Sequence, residues 1–122
     1  MDQITLGQEG EAIACTVLSK NGYRILERNF RNRLGEIDVI AQEKGHICFI
    51  EIKTRHVLQC GSPFEAVSKF KQRQIVRVAK SYLRLKRWED RRCRFDVVGI
   101  TVDDSDQPKI EILQDAFQLE TG

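Results

Sequence analysis

Apolar positions along this chain recur with two different periods. Leu6, Ile13, Ala14, Val17 and Leu18 are spaced for one face of a helix, which predicts a helix over 6–21. Gly22 suits its C-terminal stop. From Tyr23 onward the pattern tightens. Residues 23–30 (YRILERNF) read as a strand, and 36–42 (EIDVIAQ) and 46–54 (HICFIEIKT) are stronger strands, rich in Ile, Val and Phe. Glu43-Lys44-Gly45 between them suits a tight hairpin.

Ser62-Pro63-Phe64-Glu65 carries a capping residue, a first-turn proline and a capping-box glutamate. It predicts a helix running to about Lys86, with a break allowed near Ser68-Lys69. Residues 94–102 (RFDVVGITV) form another strand, 103–106 a turn, and 109–113 (KIEIL) a last strand. The order α-β-β-β-α-β-β predicts an α/β domain with a mixed central sheet flanked by helices.

With 122 residues, 41% hydrophobic and 31% charged, the chain fits one globular domain. No apolar run approaches the roughly 18 residues of a membrane span. The N-terminus lacks the basic and apolar regions of a signal peptide, so a cytoplasmic location and no membrane partner are expected. Cys15, Cys48, Cys60 and Cys93 form no CxxC pair, and His46 and His56 are the only histidines. This spacing supports neither a zinc site nor a disulfide framework.

The net charge of +2 conceals a strong asymmetry. Residues 1–52 hold six Lys/Arg against eight Asp/Glu, a net of −2. Residues 53–94 hold thirteen against three, a net of +10, and residues 95–122 one against seven, a net of −6. A segment at +10 is a candidate phosphate-binding surface. A basic helix that is merely well solvated is the competing reading. What shifts the balance is a carboxylate cluster just ahead of the basic segment.

Asp38 interrupts the apolar run Ile37-Asp38-Val39-Ile40, and Glu51 and Lys53 interrupt Phe49-Ile50-Glu51-Ile52-Lys53. Alternate strand residues share a face, so Glu51 and Lys53 project together, as do Glu36 and Asp38. If the hairpin closes through a two-residue Lys44-Gly45 turn, Glu43 faces His46 and Asp38 falls opposite Glu51. A four-residue loop over 43–46 gives the same register. A three-residue loop would place them on opposite faces. Adjacent carboxylates repel unless neutralised. Mg²⁺ prefers one or two carboxylates, water and phosphate oxygens. Lys53 on the same face suits orienting a water or stabilising phosphate charge. The competing reading is an exposed cross-strand charge pattern on a half-solvated sheet.

Asp38, twelve intervening residues and Glu51-Ile52-Lys53 resemble the D-x(n)-E-x-K core of the PD-(D/E)xK nucleases. A longer set is more specific. Gly7-x-x-Gly10-Glu11, Gly22-Tyr23, Ile25-Leu26-x-Arg28-Asn29, Gly35-Glu36-Ile37-Asp38, Glu51-Ile52-Lys53-Thr54-Arg55, Glu65-Ala66-Val67 and Arg94-Phe95-Asp96-Val97-Val98 resemble the bacterial YraN family. That resemblance covers about residues 7–115. It implies a restriction-endonuclease-like fold, similar to archaeal Holliday-junction resolvases, and metal-dependent cleavage of nucleic acid with Mg²⁺ or Mn²⁺. Carried over by position, Asp38 and Glu51 would be metal ligands and Lys53 the catalytic lysine. The Ile52 carbonyl would be a further metal contact, and Glu11 would complete the metal site. By spacing alone, a capping or solvent role suits Glu11 as well. Glu36 is a candidate support for Asp38, and Asp96, in an apolar strand, is expected to pair with a basic residue.

Such an enzyme must hold a polyanion. Arg28, Arg31, Arg33 and Arg55 flank the candidate site in sequence, and Lys69, Lys71, Arg73 and Arg77 stud the long helix, followed by Lys80 and Arg84. Phosphate contacts of this kind give affinity and salt dependence rather than sequence specificity. Trp88 and Phe30 are candidates for base stacking, with core packing as the competing role. The expected partner is nucleic acid, with DNA in first place, bound structure-selectively or without specificity, and branched DNA is one candidate substrate. A homodimer is expected only by analogy with junction-cleaving enzymes. The competing function is a non-catalytic binding module within a larger DNA-processing complex.

Overall fold

The computed structural model describes residues 6–56, 67–103 and 107–118. Among them the order is α1 (Leu6–Lys20), β1 (Arg24–Asn32), β2 (Gly35–Glu43), β3 (His46–His56), α2 (Lys69–Lys86), β4 (Cys93–Val102) and β5 (Lys109–Phe117). This is the expected order. Ser62-Pro63-Phe64-Glu65, Cys60, residues 104–106 and the Glu65-Ala66 part of the family pattern lie outside the described residues.

The first helix ends as Gly22 predicts. Gly22 has φ +90°, and the Tyr23 N–H donates to the Leu18 carbonyl at 3.0 Å, closing the last turn. The second helix has Ser68 as its cap. The Ser68 side chain accepts from the Lys71 N–H at 3.1 Å, so α2 begins at the point where a break was allowed. The α2 helix ends on Arg87 in the left-handed region, with the Trp88 N–H donating to the Leu83 carbonyl.

The five strands form one sheet in the order β1-β2-β3-β4-β5. All pairs are antiparallel except β3 with β4, which are parallel and joined across α2. Strand alternation divides the core into two layers. Ile47, Phe49, Phe95 and Val97 pack with Ile75, Val78, Ala79 and Tyr82 of α2. Cys48, Ile50, Val98 and Ile100 pack with Ala14, Cys15 and Leu18 of α1. Both helices approach the sheet closely. A Cβ on Gly10 of α1 would sit 2.9 Å from Thr54 Oγ1.

The β2–β3 turn is the two-residue Lys44-Gly45, with φ of 48° and 81°. Glu43 belongs to β2 and pairs with His46. β5 runs to Phe117, beyond the expected 113, because Asp115 at φ 55° and a register shift between Phe95 and Val97 bend it and keep it paired.

Candidate functional site

The hairpin register runs from Glu43↔His46 to Val39↔Ile50. One step further along that register, Asp38 falls opposite Glu51. There the ladder stops. In an unbroken antiparallel ladder the Ile52 N–H would go to the backbone of residue 37. Instead it donates to Asp38 Oδ2 at 2.8 Å. The strands part at this point, and the alternation of β2 slips with them. Val39 packs on the α1 side, whereas Ile37, which a regular strand would place beside it, packs on the α2 side. In a strand, the N–H and C=O of one residue point the same way, so the Ile52 carbonyl faces the same fork.

Glu51 follows Phe49 on the α2 side of β3 and is 6% exposed. Lys53 lies on the same face, its Nζ 3.9 Å from Glu51 Oε1. Burial pushes the Glu51 carboxyl up to about 7, and the neighbouring Asp38 charge adds to that rise. The Asp38 carboxyl is raised for the same first reason, opposed by its bond from the Ile52 amide. The Lys71 ammonium, in the first turn of α2, favours the charged form of both carboxylates. Lys71 was expected as a phosphate contact; only the packing of α2 brings its charge to the carboxylates.

Glu11 sits at the margin of this group. Its Oε1 accepts from Asn29 Nδ2 at 2.7 Å and from Arg28 Nε at 3.2 Å, and its charge adds to the rise at Asp38. Asn29 reaches it from a left-handed backbone, φ 54°, inside β1. Among the described residues no three or more His, Cys, Asp or Glu side chains are gathered to hold a metal ion. Glu36, beside Asp38, pairs with Arg31 at 3.3 Å.

The two carboxylates and the Ile52 carbonyl are hard oxygen donors, and the pair is unfavourable without a neutralising charge. Both features fit a divalent ion that keeps several waters. Asp38, Glu51 and Ile52 would hold it.

The other expected cations divide into three groups. Arg28 is committed to Glu11 and Arg31 to Glu36, while Arg33 is exposed at the β1–β2 hairpin tip. Arg55 lies two residues beyond Lys53 on the same face of β3. Lys69, Arg73 and Arg77 join Lys80, Val76 and Gln118 around a shallow groove of about 210 Å³ beside α2. Phe30 and Trp88 are packed edge-on against Tyr82, so the packing role is the one found.

Sequence reading underestimated a second polar cluster, on the α1 side. Asp96, fully buried, accepts from Tyr23 Oη at 2.9 Å, Arg94 Nε at 3.0 Å and the Asp115 N–H at 2.9 Å. Arg94 also reaches Glu43 Oε1 at 3.0 Å. Pairing of Asp96 with a basic residue was expected. The partner lies two positions along its own strand, and the apolar setting of Asp96 was the available signal.

A mixed sheet with antiparallel hairpins around a parallel pair, and an aspartate meeting E-x-K where two strands fork, define a restriction-endonuclease-like domain. The chain belongs to the uncharacterised protein family UPF0102, the YraN family, whose profile matches residues 10–100. It is 47% identical over 124 residues to a UPF0102 protein of Chlorobium phaeobacteroides, covering 98% of each chain. It is 47% identical over 118 residues to one of Geotalea uraniireducens, covering 97% of this chain and 93% of that one. A Geobacter sulfurreducens relative is 44% identical over 114 residues, covering 93% and 89%. None of these names states an activity. No helix among the described residues is long and apolar enough to cross a membrane.

Proposed function

We propose that this protein is a Mg²⁺- or Mn²⁺-dependent endonuclease that hydrolyses phosphodiester bonds of DNA in the cytoplasm, with branched or junction DNA as its favoured substrate. The observation that carries this reading is the fork itself. Asp38 and Glu51 face each other across it, Lys53 shares the face of Glu51, and Ile52 opens onto the same gap. A structural ion pair needs neither a second carboxylate nor a broken ladder.

A divalent ion bound there would polarise a phosphate and acidify a water. Asp38 is oriented for that task by the Ile52 amide. Lys53, one-third exposed, can turn from Glu51 toward a phosphate oxygen or a water. Lys71 and the α2 cations hold the strand by its charge.

The test is cleavage of labelled single-stranded, duplex and four-way-junction DNA with Mg²⁺ or Mn²⁺. Metal-dependent cutting by the wild type, abolished in both Asp38→Asn and Glu51→Gln, is the expected result. A second reading, a non-catalytic nucleic-acid-binding module, is favoured by the engagement of Glu11 with Arg28 and Asn29. It predicts binding without cutting, unchanged in either variant.

A further inference from the structure

The aromatic residues near α2 fall into two groups. Phe30, Phe49 and Trp88 surround Tyr82, with ring centroids 5.0, 6.0 and 6.0 Å from it. Their surfaces are used in the core. Phe70 is different. It is 69% exposed, whereas Ile75, Val78 and Ala79 of the same helix are buried.

Its position is specific. Successive helix residues turn by about 100°, which sets Phe70 between two charged regions. On one side stand Lys69 and Arg73, which line the basic groove. On the other stands Lys71, whose charge reaches Asp38 and Glu51. One turn further along, Gln74 rests against Gly35 at the turn of the β1–β2 hairpin, so the helix is seated firmly beneath the ring.

We propose that Phe70 is a base-stacking residue, its ring receiving an unpaired base of a strand whose phosphates lie on Lys69, Lys71 and Arg73. The inference rests on the nucleic-acid reading above and narrows it to strands with accessible bases. In a continuous duplex every base face is already covered, and presenting one to Phe70 requires unstacking. A single strand, a flap or a junction presents such a face at little cost. An aromatic platform beside a cationic track is the arrangement that binds these strands without reading sequence. The ring thus supplies structure selectivity, which the cations alone do not.

The test separates this inference from cleavage. Binding is measured by fluorescence anisotropy in EDTA, on a Glu51→Gln background, with a labelled single-stranded DNA of about 20 nucleotides and its matching duplex. Phe70→Ala is expected to lower single-strand affinity by about tenfold or more while duplex affinity stays within about twofold. Phe70→Trp is expected to restore it. The exposed position predicts an unchanged melting temperature for both variants.

Equal losses on both DNAs, no loss on either, or no single-strand binding by the parent protein would overturn the inference. So would a shift from dimer to monomer on Phe70→Ala in sedimentation, which would assign the ring to a contact between copies. Phe70-dependent binding with no cutting by the wild type would remove the nuclease reading and leave this one standing. Cutting that ignores Phe70 would do the reverse.

Discussion

A carboxylate buried beside another carboxylate is held at a cost, and Glu51 is in that position. Its carboxyl titrates near 7, above the ordinary glutamate value of 4.5, because it is buried and faces Asp38. The folded protein therefore binds the proton more tightly than the unfolded chain does. Without a bound cation, the contribution of Glu51 to stability is largest below about 4.5 and falls as pH rises toward 7. Glu51→Gln removes this penalty. The variant is expected to be more stable than the wild type by about 1–3 kcal/mol at pH 8, with the difference closing at pH 4.5. Thermal melts in EDTA across that range check it. Added Mg²⁺ is expected to raise the wild-type melting temperature at pH 8 and leave Glu51→Gln nearly unmoved.

At the scale of elements, the fork depends on β3 being gripped from both sides. On its β4 side the pairing runs unbroken from Ile47 to His56. On its β2 side it ends at Ile50. β3 can leave β2 without losing its course because β4 continues to hold it. β4 is fixed in turn by Asp96 and Arg94, which tie it to Tyr23 ahead of β1, to Glu43 at the hairpin turn and to Asp115 in β5. Arg94→Ala would leave the fully buried Asp96 without its main partner. A loss of about 3–5 kcal/mol is expected, read by urea denaturation. The loss should appear in global stability, since the residue lies on the opposite face of the sheet from Glu51.

At the scale of the molecule, the +10 segment over 53–94 is the surface that, on the proposed function, is expected to set affinity for DNA. The exposed Arg73 and Arg77 line the groove beside α2, and among the described residues no carboxylate forms a salt bridge with either. Replacing both with Glu is expected to weaken DNA binding for every sequence alike. It should also reduce the slope of log affinity against log salt by about 1–2, with the melting temperature unchanged. Anisotropy titrations from low to high KCl measure both. A slope equal to that of the wild type would remove the groove from the binding surface.

The sequence by itself determined the order of elements and narrowed the hairpin to two parities, one of which sets Asp38 opposite Glu51; the structure has that one. These are local matters. Period-2 alternation marks the strands, and Lys44-Gly45 readily takes the positive φ of a two-residue turn, which sets which residues oppose one another. Only the tertiary structure decided what meets across distance. The slip of β2 at Asp38 coincides with the end of its pairing to β3. Lys71 reaches the carboxylates because α2 crosses from β3 to β4 over that end of the sheet. Phe70 faces solvent while Phe30 and Trp88 are consumed by Tyr82, although all three look alike as residues in an amphipathic pattern. Alternation and helical spacing report which face a side chain takes on its own element. What covers that face is settled by packing between elements far apart in the chain, and no local pattern encodes it.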